Sequence, residues 1–187
     1  MDLAADFDDA VLGRDLPTGV EDALRQAGTS DRVPHEVMAA LARAERLAPT
    51  HPAVLIALYR YHFYGHRLRA ARSVACRALV VGAAALDLPP SWREVPPQPL
   101  AGARHEARTR FYLFALRGYA YLSLRLGDLA EAGAALALLR QLDPDDCVGG
   151  ALLERVRLRA LQPEDGDDVP DYVQILGAQA WTRLGAS

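Results

Sequence analysis

Residues 110–144 (RFYLFALRGYAYLSLRLGDLAEAGAALALLRQLDP) constrain the fold more than any other part of the chain. They contain two runs of apolar residues at helical spacing, one on each side of Gly127-Asp128, and they end at Pro144. Apolar residues that recur every three or four positions are typical of an amphipathic helix, and a glycine between two such runs indicates a turn. This stretch therefore predicts two antiparallel helices joined by a short turn.

The spacing in this hairpin resembles the tetratricopeptide repeat, a pair of antiparallel helices that recurs about every 34 residues. In that frame Ala120 is the small residue of the first helix, and Ala132 is the small residue where the two helices cross. Leu136 and Leu139 are packing positions, and Pro144 ends the unit. The resemblance implies an all-α fold, a right-handed stack of antiparallel helix pairs.

A second unit fits residues 52–65 and 67–86, with Ala71, Ala75 and Ala78 at its small positions. Alanines at this spacing let two helices approach each other closely. The two units depart from the repeat pattern at two positions, since Ser123 replaces an aromatic residue and Gly65 comes one place early. These departures affect the exact register and leave the prediction of helix pairs intact.

A proline-rich insertion separates the two units at about residues 86–103, and its sequence is LDLPPSWREVPPQPLAGA. Its five prolines exclude a continuous helix and favour extended backbone. Loops of this length in a compact domain are usually either functional or disordered. Trp92 and Val95 are apolar anchors, so we expect the insertion to pack in part against the helices. Trp92 either fills a gap at the edge of the core or contacts a partner.

The remaining segments complete a prediction of about seven helices in one domain. Residues 1–17 form an acidic N-terminal arm, and residues 18–187 form a single helical domain. A helix is expected to run to about Leu161, beginning either near Asp145-Asp146 or after Gly149-Gly150. Residues 169–185 have helical apolar spacing and are predicted to cap the stack.

Charge is unevenly distributed along the chain, which has no lysine and whose basic residues are all arginine. Residues 1–31 carry a net charge of −6, residues 32–128 carry +8, and residues 129–187 carry −5. Such a basic middle could attract an acidic partner or nucleic acid, or the acidic ends could fold back and neutralise it. No helix-turn-helix or RNA-binding motif accompanies the arginines, so nucleic acid is not the expected partner.

Several function classes find no support in the sequence. There is no glycine-rich phosphate loop, no GxSxG motif and no distinctive carboxylate pair, so we expect a non-enzymatic protein without a cofactor. Cys76 and Cys147 lie far apart and suggest no disulfide scaffold or metal cluster. The N-terminus lacks the features of a signal peptide, and no apolar run is long enough to span a bilayer. We therefore expect a cytoplasmic location and no membrane partner.

The inner groove of the predicted stack is the candidate site. Arginine and aromatic residues dominate binding hot spots, because they bury a large area at low entropic cost. A groove of this composition favours a protein partner with an acidic or apolar segment. The candidate partner-binding residues are Arg60, Phe63, Tyr64, Phe114, Arg117, Tyr121 and Arg125.

A metal site is the main alternative for the stretch around residue 60. His62 and His66 are four residues apart, and on one helix they would share a face. No acidic ligand or HExxH glutamate stands beside them, so the sequence alone does not predict a bound metal. A metal-handling protein that uses this pair stays open as a hypothesis.

Three strings, YRYHFYGHRLRAA, RFYLFALRGYAYLSLRLG and LDPDDCVGG, resemble small tetratricopeptide proteins of bacterial nitrogen-fixation gene clusters. This resemblance implies an accessory factor, a scaffold or chaperone, in nitrogenase assembly or electron supply. A bacterial secretion chaperone of the tetratricopeptide type is an alternative with the same fold. Exposed apolar rings on a short stack would also be compatible with a homodimer.

Overall fold

The computed structural model describes residues 16, 19–28, 34–103 and 105–162. These residues form seven α-helices and one short 3₁₀ turn at Trp92–Glu94, and no strand occurs among them. The predicted cap at residues 169–185 lies outside the described residues, as does the N-terminal arm apart from Leu16. The helices are α1 (Val20–Gly28), α2 (Pro34–Leu47), α3 (Pro52–Tyr64), α4 (Leu68–Ala85), α5 (Ala107–Arg125), α6 (Leu129–Leu142) and α7 (Gly150–Leu161).

The helix ends follow local signals in the sequence. Proline is the first residue of both α2 and α3, a position where its missing N–H costs nothing. His51 caps α3, because its Nδ1 accepts a hydrogen bond of 3.2 Å from the Ala53 N–H. The turn between α5 and α6 places Gly127 at φ 79°, a left-handed conformation that suits glycine. The carboxylate of Asp128 then accepts from the Glu131 N–H at the start of α6.

The start of α7 settles an alternative that the sequence left open. The helix begins at Gly150, and Gly149 precedes it in a left-handed conformation with φ 74°. The carboxylate of Asp146 accepts a hydrogen bond of 3.0 Å from the Ala151 N–H, so it still caps the first turn from outside the helix.

Consecutive helices pack against each other from α3 to α7, and α5 lies at the centre. Contacts between distant residues show that α4 and α5 are antiparallel. At one end of the stack Arg72, near the start of α4, reaches Ser123 near the end of α5. At the opposite end Gly82, near the end of α4, lies close to Phe111 at the start of α5. Every residue from 111 to 123 is buried, so α5 forms the centre of the core.

Small residues allow the helices to approach closely, as the sequence predicts. The alanines at positions 71, 75, 78, 120 and 132 are all buried. Gly82 is also buried, and a Cβ atom there would lie 3.2 Å from both Phe111 and Tyr112. The α4–α5 interface therefore depends on side chains no larger than these at several positions.

The proline-rich connection between α4 and α5 packs against the helices, which confirms the expectation from Trp92 and Val95. Val95 is 4% exposed, and Trp92 is partly buried against the core. The Leu100 N–H donates a hydrogen bond of 2.9 Å to the Leu142 carbonyl at the end of α6. The Thr109 hydroxyl donates to the Ala101 carbonyl. These two hydrogen bonds fix the end of the connection that precedes α5 to the α5–α6 pair.

Among the described residues, no helix is long and apolar enough to cross a membrane.

Candidate functional site

The structure separates the seven candidate groove residues into two groups. Four of them lie in the interior with exposures of 8% or less, namely Phe63, Phe114, Arg117 and Tyr121. The other three reach the surface, since Arg60 and Tyr64 are exposed and Arg125 is partly exposed. Of the buried group, Phe63 and Tyr121 contact members of the second group, whereas Arg117 contacts the loop before α7.

The three accessible side chains lie on α3 and α5, and we call them together the α3–α5 patch, defined as Arg60, Tyr64 and Arg125. Arg60 and Tyr64 are four residues apart near the end of α3, so they project from the same face of that helix. Arg125 is the last residue of α5. The patch therefore spans the ends of two helices that run in the same direction.

Two aromatic rings form the floor of the patch and join its parts. The Phe63 ring lies 5.6 Å from the Tyr64 ring and 5.7 Å from the Tyr121 ring. The Tyr121 hydroxyl accepts a hydrogen bond of 2.9 Å from Arg125 Nη1. These rings contact each other across the helix boundary, so their packing fixes the relative positions of the exposed groups.

The electrostatics of the patch favour an acidic partner. Within the part of the chain that the structure describes, no carboxylate lies within ion-pair distance of Arg60 or Arg125. Tyr64 is 52% exposed and adds an apolar surface beside the two charges. An arginine fork binds a carboxylate through two parallel hydrogen bonds, and an exposed ring buries apolar area at the same time.

Arg117 has a structural environment that differs from that of the patch. Its side chain is buried beneath the first residues of α7, and its Nε donates a hydrogen bond of 3.3 Å to the Gly149 carbonyl. Burial lowers the pKa of this guanidinium from its ordinary value, although the nearby Tyr59 and Asp146 oppose that effect. Arg117 therefore links α5 to the loop before α7.

A network on the other side of α5 was not predicted from the sequence. We call it the Glu131 network and define it as Trp92, Arg93, Tyr119 and Glu131. The Glu131 carboxylate accepts hydrogen bonds from Arg93 and from the Tyr119 hydroxyl. The Arg93 guanidinium lies 4.3 Å from the Trp92 ring, which in turn lies 5.8 Å from the Tyr119 ring. The network fastens the proline-rich connection to α5 and α6.

The pKa values of Glu131 and Tyr119 reflect the same contacts. Burial would raise the pKa of Glu131, but the hydrogen bonds from Tyr119 and Arg93 outweigh it and hold this pKa below its ordinary value. Burial and the hydrogen bond to Glu131 raise the pKa of Tyr119 to about 12. The carboxylate is therefore ionised and fully engaged at neutral pH, as a structural ion pair is. No sequence spacing indicates this network, because its members come from three separate segments.

The two histidines of the metal hypothesis do not share a helix face. α3 ends at Tyr64, and His66 lies beyond it with a left-handed φ of 55°. His62 is partly buried, and burial together with the nearby Arg67 lowers its pKa. The expected helical geometry of this pair is therefore wrong. Within the described residues, no group of three or more histidine, cysteine or acidic side chains could hold a metal ion.

The other residues singled out in the sequence have simpler environments. Trp92 packs at the edge of the core, against Tyr119, which fits its interpretation as a gap-filling residue. Cys76 and Cys147 are both exposed. Although Cys76 reaches the surface, partial burial of its thiol raises the pKa, with Arg72 opposing the effect.

A cleft of about 340 Å³ lies between α6 and α7. Its carboxylates already have structural partners. One oxygen of Asp143 accepts from the Val148 N–H, Asp146 caps α7, and Glu154 pairs with Arg157. The other oxygen of Asp143 is buried and has no hydrogen-bond partner among the described residues, while the remaining carboxylates hold the α6–α7 connection.

Comparison with known proteins places the chain in a family. It is 39% identical over 155 residues to an uncharacterized 19.8 kDa protein encoded in the nifW 5′ region of Azotobacter chroococcum mcd 1. The aligned region covers 82% of this chain and 86% of the Azotobacter protein. The chain belongs to the family of that protein. No protein-family model matches the chain. No solved structure matches it.

The location of the relative's gene fits one of the two resemblances drawn from the sequence. A relative from a nif gene region is what a resemblance to small proteins of nitrogen-fixation gene clusters leads us to expect. The helical architecture is compatible with the other resemblance, to tetratricopeptide repeats.

Proposed function

We propose that this protein is a non-enzymatic scaffold or chaperone that binds an acidic, partly apolar segment of another protein at the α3–α5 patch. One observation carries the proposal. An exposed tyrosine and two arginines without a carboxylate partner in the described part of the chain lie near the ends of α3 and α5, and the buried rings of Phe63 and Tyr121 connect Tyr64 with Arg125. Arginine and tyrosine are the residue types most enriched in binding hot spots.

The arrangement of the helices supports the interpretation of this surface as the inner face of a tetratricopeptide-like stack. In such a stack the first helix of each antiparallel pair lines the inner face. Here α3 precedes α4, and α5 precedes α6, so Arg60, Tyr64 and Arg125 all come from first helices. Direct contacts between α3 and α5, such as that of Phe63 with Tyr121, agree with this arrangement.

The nif-region relative supports a place for this function in nitrogen fixation. We propose that the partner is a protein of nitrogenase assembly or electron supply. A scaffold or chaperone in this setting needs only a binding surface, so the absence of a catalytic motif from the sequence is consistent with the role.

Affinity capture tests the proposal. The tagged protein is expressed in nitrogen-fixing cells, and the proteins that co-purify are identified by mass spectrometry. The double variant Arg60→Glu/Arg125→Glu should lose the specific partner, because its reversed charges repel an acidic segment.

The matched control is Arg46→Glu/Arg140→Glu, which reverses two exposed arginines on α2 and α6. It makes the same change in net charge away from the patch and should retain the partner. Equal capture by both double variants would contradict binding at the patch.

A further inference from the structure

The cleft between α6 and α7 has a buried apolar floor and an exposed rim. Leu136, Leu139 and Gly150 line it and are buried, whereas Ala137 and Ala151 line it and are exposed. Its volume of about 340 Å³ is sufficient for a small organic molecule. The alanine and leucine side chains would contact the hydrocarbon part of such a molecule, so the cleft favours a ligand that has one.

Asp143 lines the same cleft, and one of its polar atoms has no partner. The residue is 3% exposed, and its N–H donates a hydrogen bond of 2.8 Å to the Leu139 carbonyl. Its carbonyl accepts from the Asp146 N–H, and its Oδ2 accepts from the Val148 N–H at 2.9 Å. Its Oδ1 is buried and accepts no hydrogen bond among the described residues. Because a buried charged acceptor without a donor is unfavourable, a ligand that donates to Oδ1 gains a strong bond.

The charges around the cleft favour a positively charged ligand. Three carboxylates line it, those of Asp143, Asp146 and Glu154, together with the guanidinium of Arg140. Glu154 is already paired with Arg157, and no ion pair joins Asp143 to an arginine in the part of the chain that the structure describes. Asp143 also caps the end of α6, where the last carbonyls of a helix carry partial negative charge. A cation at Asp143 would therefore be stabilised by both the carboxylate and the helix end.

The single open oxygen of Asp143 favours an ammonium group over a guanidinium. A guanidinium binds a carboxylate best through two parallel hydrogen bonds, which require both oxygens. Oδ2 is engaged by the Val148 N–H, so only Oδ1 is left for a ligand. An ammonium is a compact charge that can donate to one oxygen. The chain has no lysine, so none of its own side chains supplies such a group.

We propose that the α6–α7 cleft binds an alkylammonium group, with the ammonium at Asp143 Oδ1 and the hydrocarbon chain against Leu136 and Ala137. A small free amine and the lysine side chain of a partner protein both present this chemistry. The proposal does not rest on the α3–α5 patch, which uses other residues on other helices.

A nuclear magnetic resonance titration of the isotope-labelled full-length protein with n-butylammonium chloride tests the proposal. The amide signals of Val148 and Ala151 should shift and saturate, with a Kd of about 1–10 mM for so small a ligand. The neutral analogue n-butanol should bind at least about tenfold more weakly, because it has no charge to place at Asp143. n-Butylguanidinium should bind at least about threefold more weakly. Sodium chloride at the same ionic strength should give no saturable shift.

Two variants and a matched control locate the binding site. Asp143→Asn keeps the oxygen that accepts from Val148 but removes the charge, and it should raise the Kd for n-butylammonium at least about tenfold. Ala137→Phe fills the cleft from an exposed position, keeps all the carboxylates and should raise the Kd by at least about the same factor. The control Asp87→Asn removes an exposed carboxylate outside the cleft, at a φ of 53° that asparagine tolerates. It should change the Kd by less than about twofold.

Circular dichroism shows whether each variant is folded, and Ala137→Phe decides the question if Asp143→Asn is not. Equal Kd values for Ala137→Phe and the unaltered protein would overturn the proposal, as would equal Kd values for Asp143→Asn and Asp87→Asn. Binding of n-butanol as tight as that of n-butylammonium, or no saturable shift up to about 100 mM, would also overturn it. Nα-acetyllysine amide separates the two sources of the ligand. Tighter binding than n-butylammonium would identify a lysine side chain, weaker binding would identify a free amine, and both results support alkylammonium recognition.

Discussion

The Glu131 network and the α3–α5 patch both contain arginine and aromatic residues, but they differ in what the arginines contact. In the network the Arg93 guanidinium pairs with Glu131 and lies over the Trp92 ring, so its charge is used within the molecule. In the patch Arg125 donates a hydrogen bond to the Tyr121 hydroxyl and lies over the same ring, and Arg60 is exposed beside Tyr64. The same residue types therefore hold the fold together in one region and stay available to a partner in the other.

α5 contains the same contrast within a single helix. Arg117 is buried and bonded to the Gly149 carbonyl, whereas Arg125, two turns later, reaches the surface. Burying a guanidinium has a high free-energy cost unless its polar groups are satisfied. Arg117 is thus expected to act on stability and Arg125 on binding.

The largest expected effect is that of Arg117→Glu. The change places a carboxylate in a buried site opposite the Gly149 carbonyl and near Asp146, so it should lower the free energy of unfolding by at least about 3 kcal/mol. Arg125→Glu should change it by less than about 1 kcal/mol, because that side chain is partly exposed. Urea denaturation followed by circular dichroism measures both values. A similar loss of unfolding free energy in the two variants would contradict the different roles assigned to Arg117 and Arg125.

A smaller effect is expected for Glu131→Ala in the network. The variant leaves the Tyr119 hydroxyl and Arg93 without their shared acceptor, and it should lower the free energy of unfolding by about 2 kcal/mol. Glu131→Gln keeps an acceptor oxygen, so it should lower the free energy of unfolding by about half as much. Hydrogen exchange should also become faster in the proline-rich connection, since Arg93 no longer anchors it. Unchanged exchange there would show that other contacts hold the connection.

The smallest expected effect is a dependence of α3 on pH. Burial lowers the pKa of His51 from 6.5, and its neutral Nδ1 caps the helix that carries Arg60 and Tyr64. A group whose pKa is lower in the folded state stabilises the fold above its unfolded pKa, and this contribution is lost as the pH falls through the folded value. Protonation of His51 should therefore cost about 1 kcal/mol, the usual value of a helix cap.

The variant His51→Asp provides the control for this pH dependence, because aspartate stays an acceptor until much lower pH. Denaturant titrations should show that the free energy of unfolding of the unaltered protein is lower at pH 5 than at pH 7.5. This difference should be smaller in His51→Asp. An equal loss in both proteins would assign the dependence to other groups, such as His62.

The sequence predicts much of the helical framework, because the signals that define it are local. Proline at the start of α2 and another just after its end predict its bounds as the structure has them. The alanines at helix crossings are buried because their spacing places them on one face, which periodicity reveals directly.

The side-chain environments of the candidate site could not be predicted in the same way. α5 has apolar and aromatic residues on every side, so periodicity does not show which face is covered. The burial of Arg117 depends on a carbonyl 32 residues later in the chain. His62 and His66 would share a helix face only if α3 extended past Gly65, whereas it ends at Tyr64. These features arise from tertiary contacts and from the position of a helix end. The spacing of residues along the sequence does not indicate either of them.

The most direct test of the central claim is a calorimetric titration of the purified protein with the acidic segment of the captured partner. Arg60→Glu/Arg125→Glu should raise the Kd at least about 30-fold, since each lost charged contact at an interface costs on the order of 1–2 kcal/mol. The Kd of the unaltered protein should also rise with salt concentration. Arg46→Glu/Arg140→Glu should change the Kd by less than about twofold. A Kd that is the same for all three proteins would contradict recognition at the α3–α5 patch.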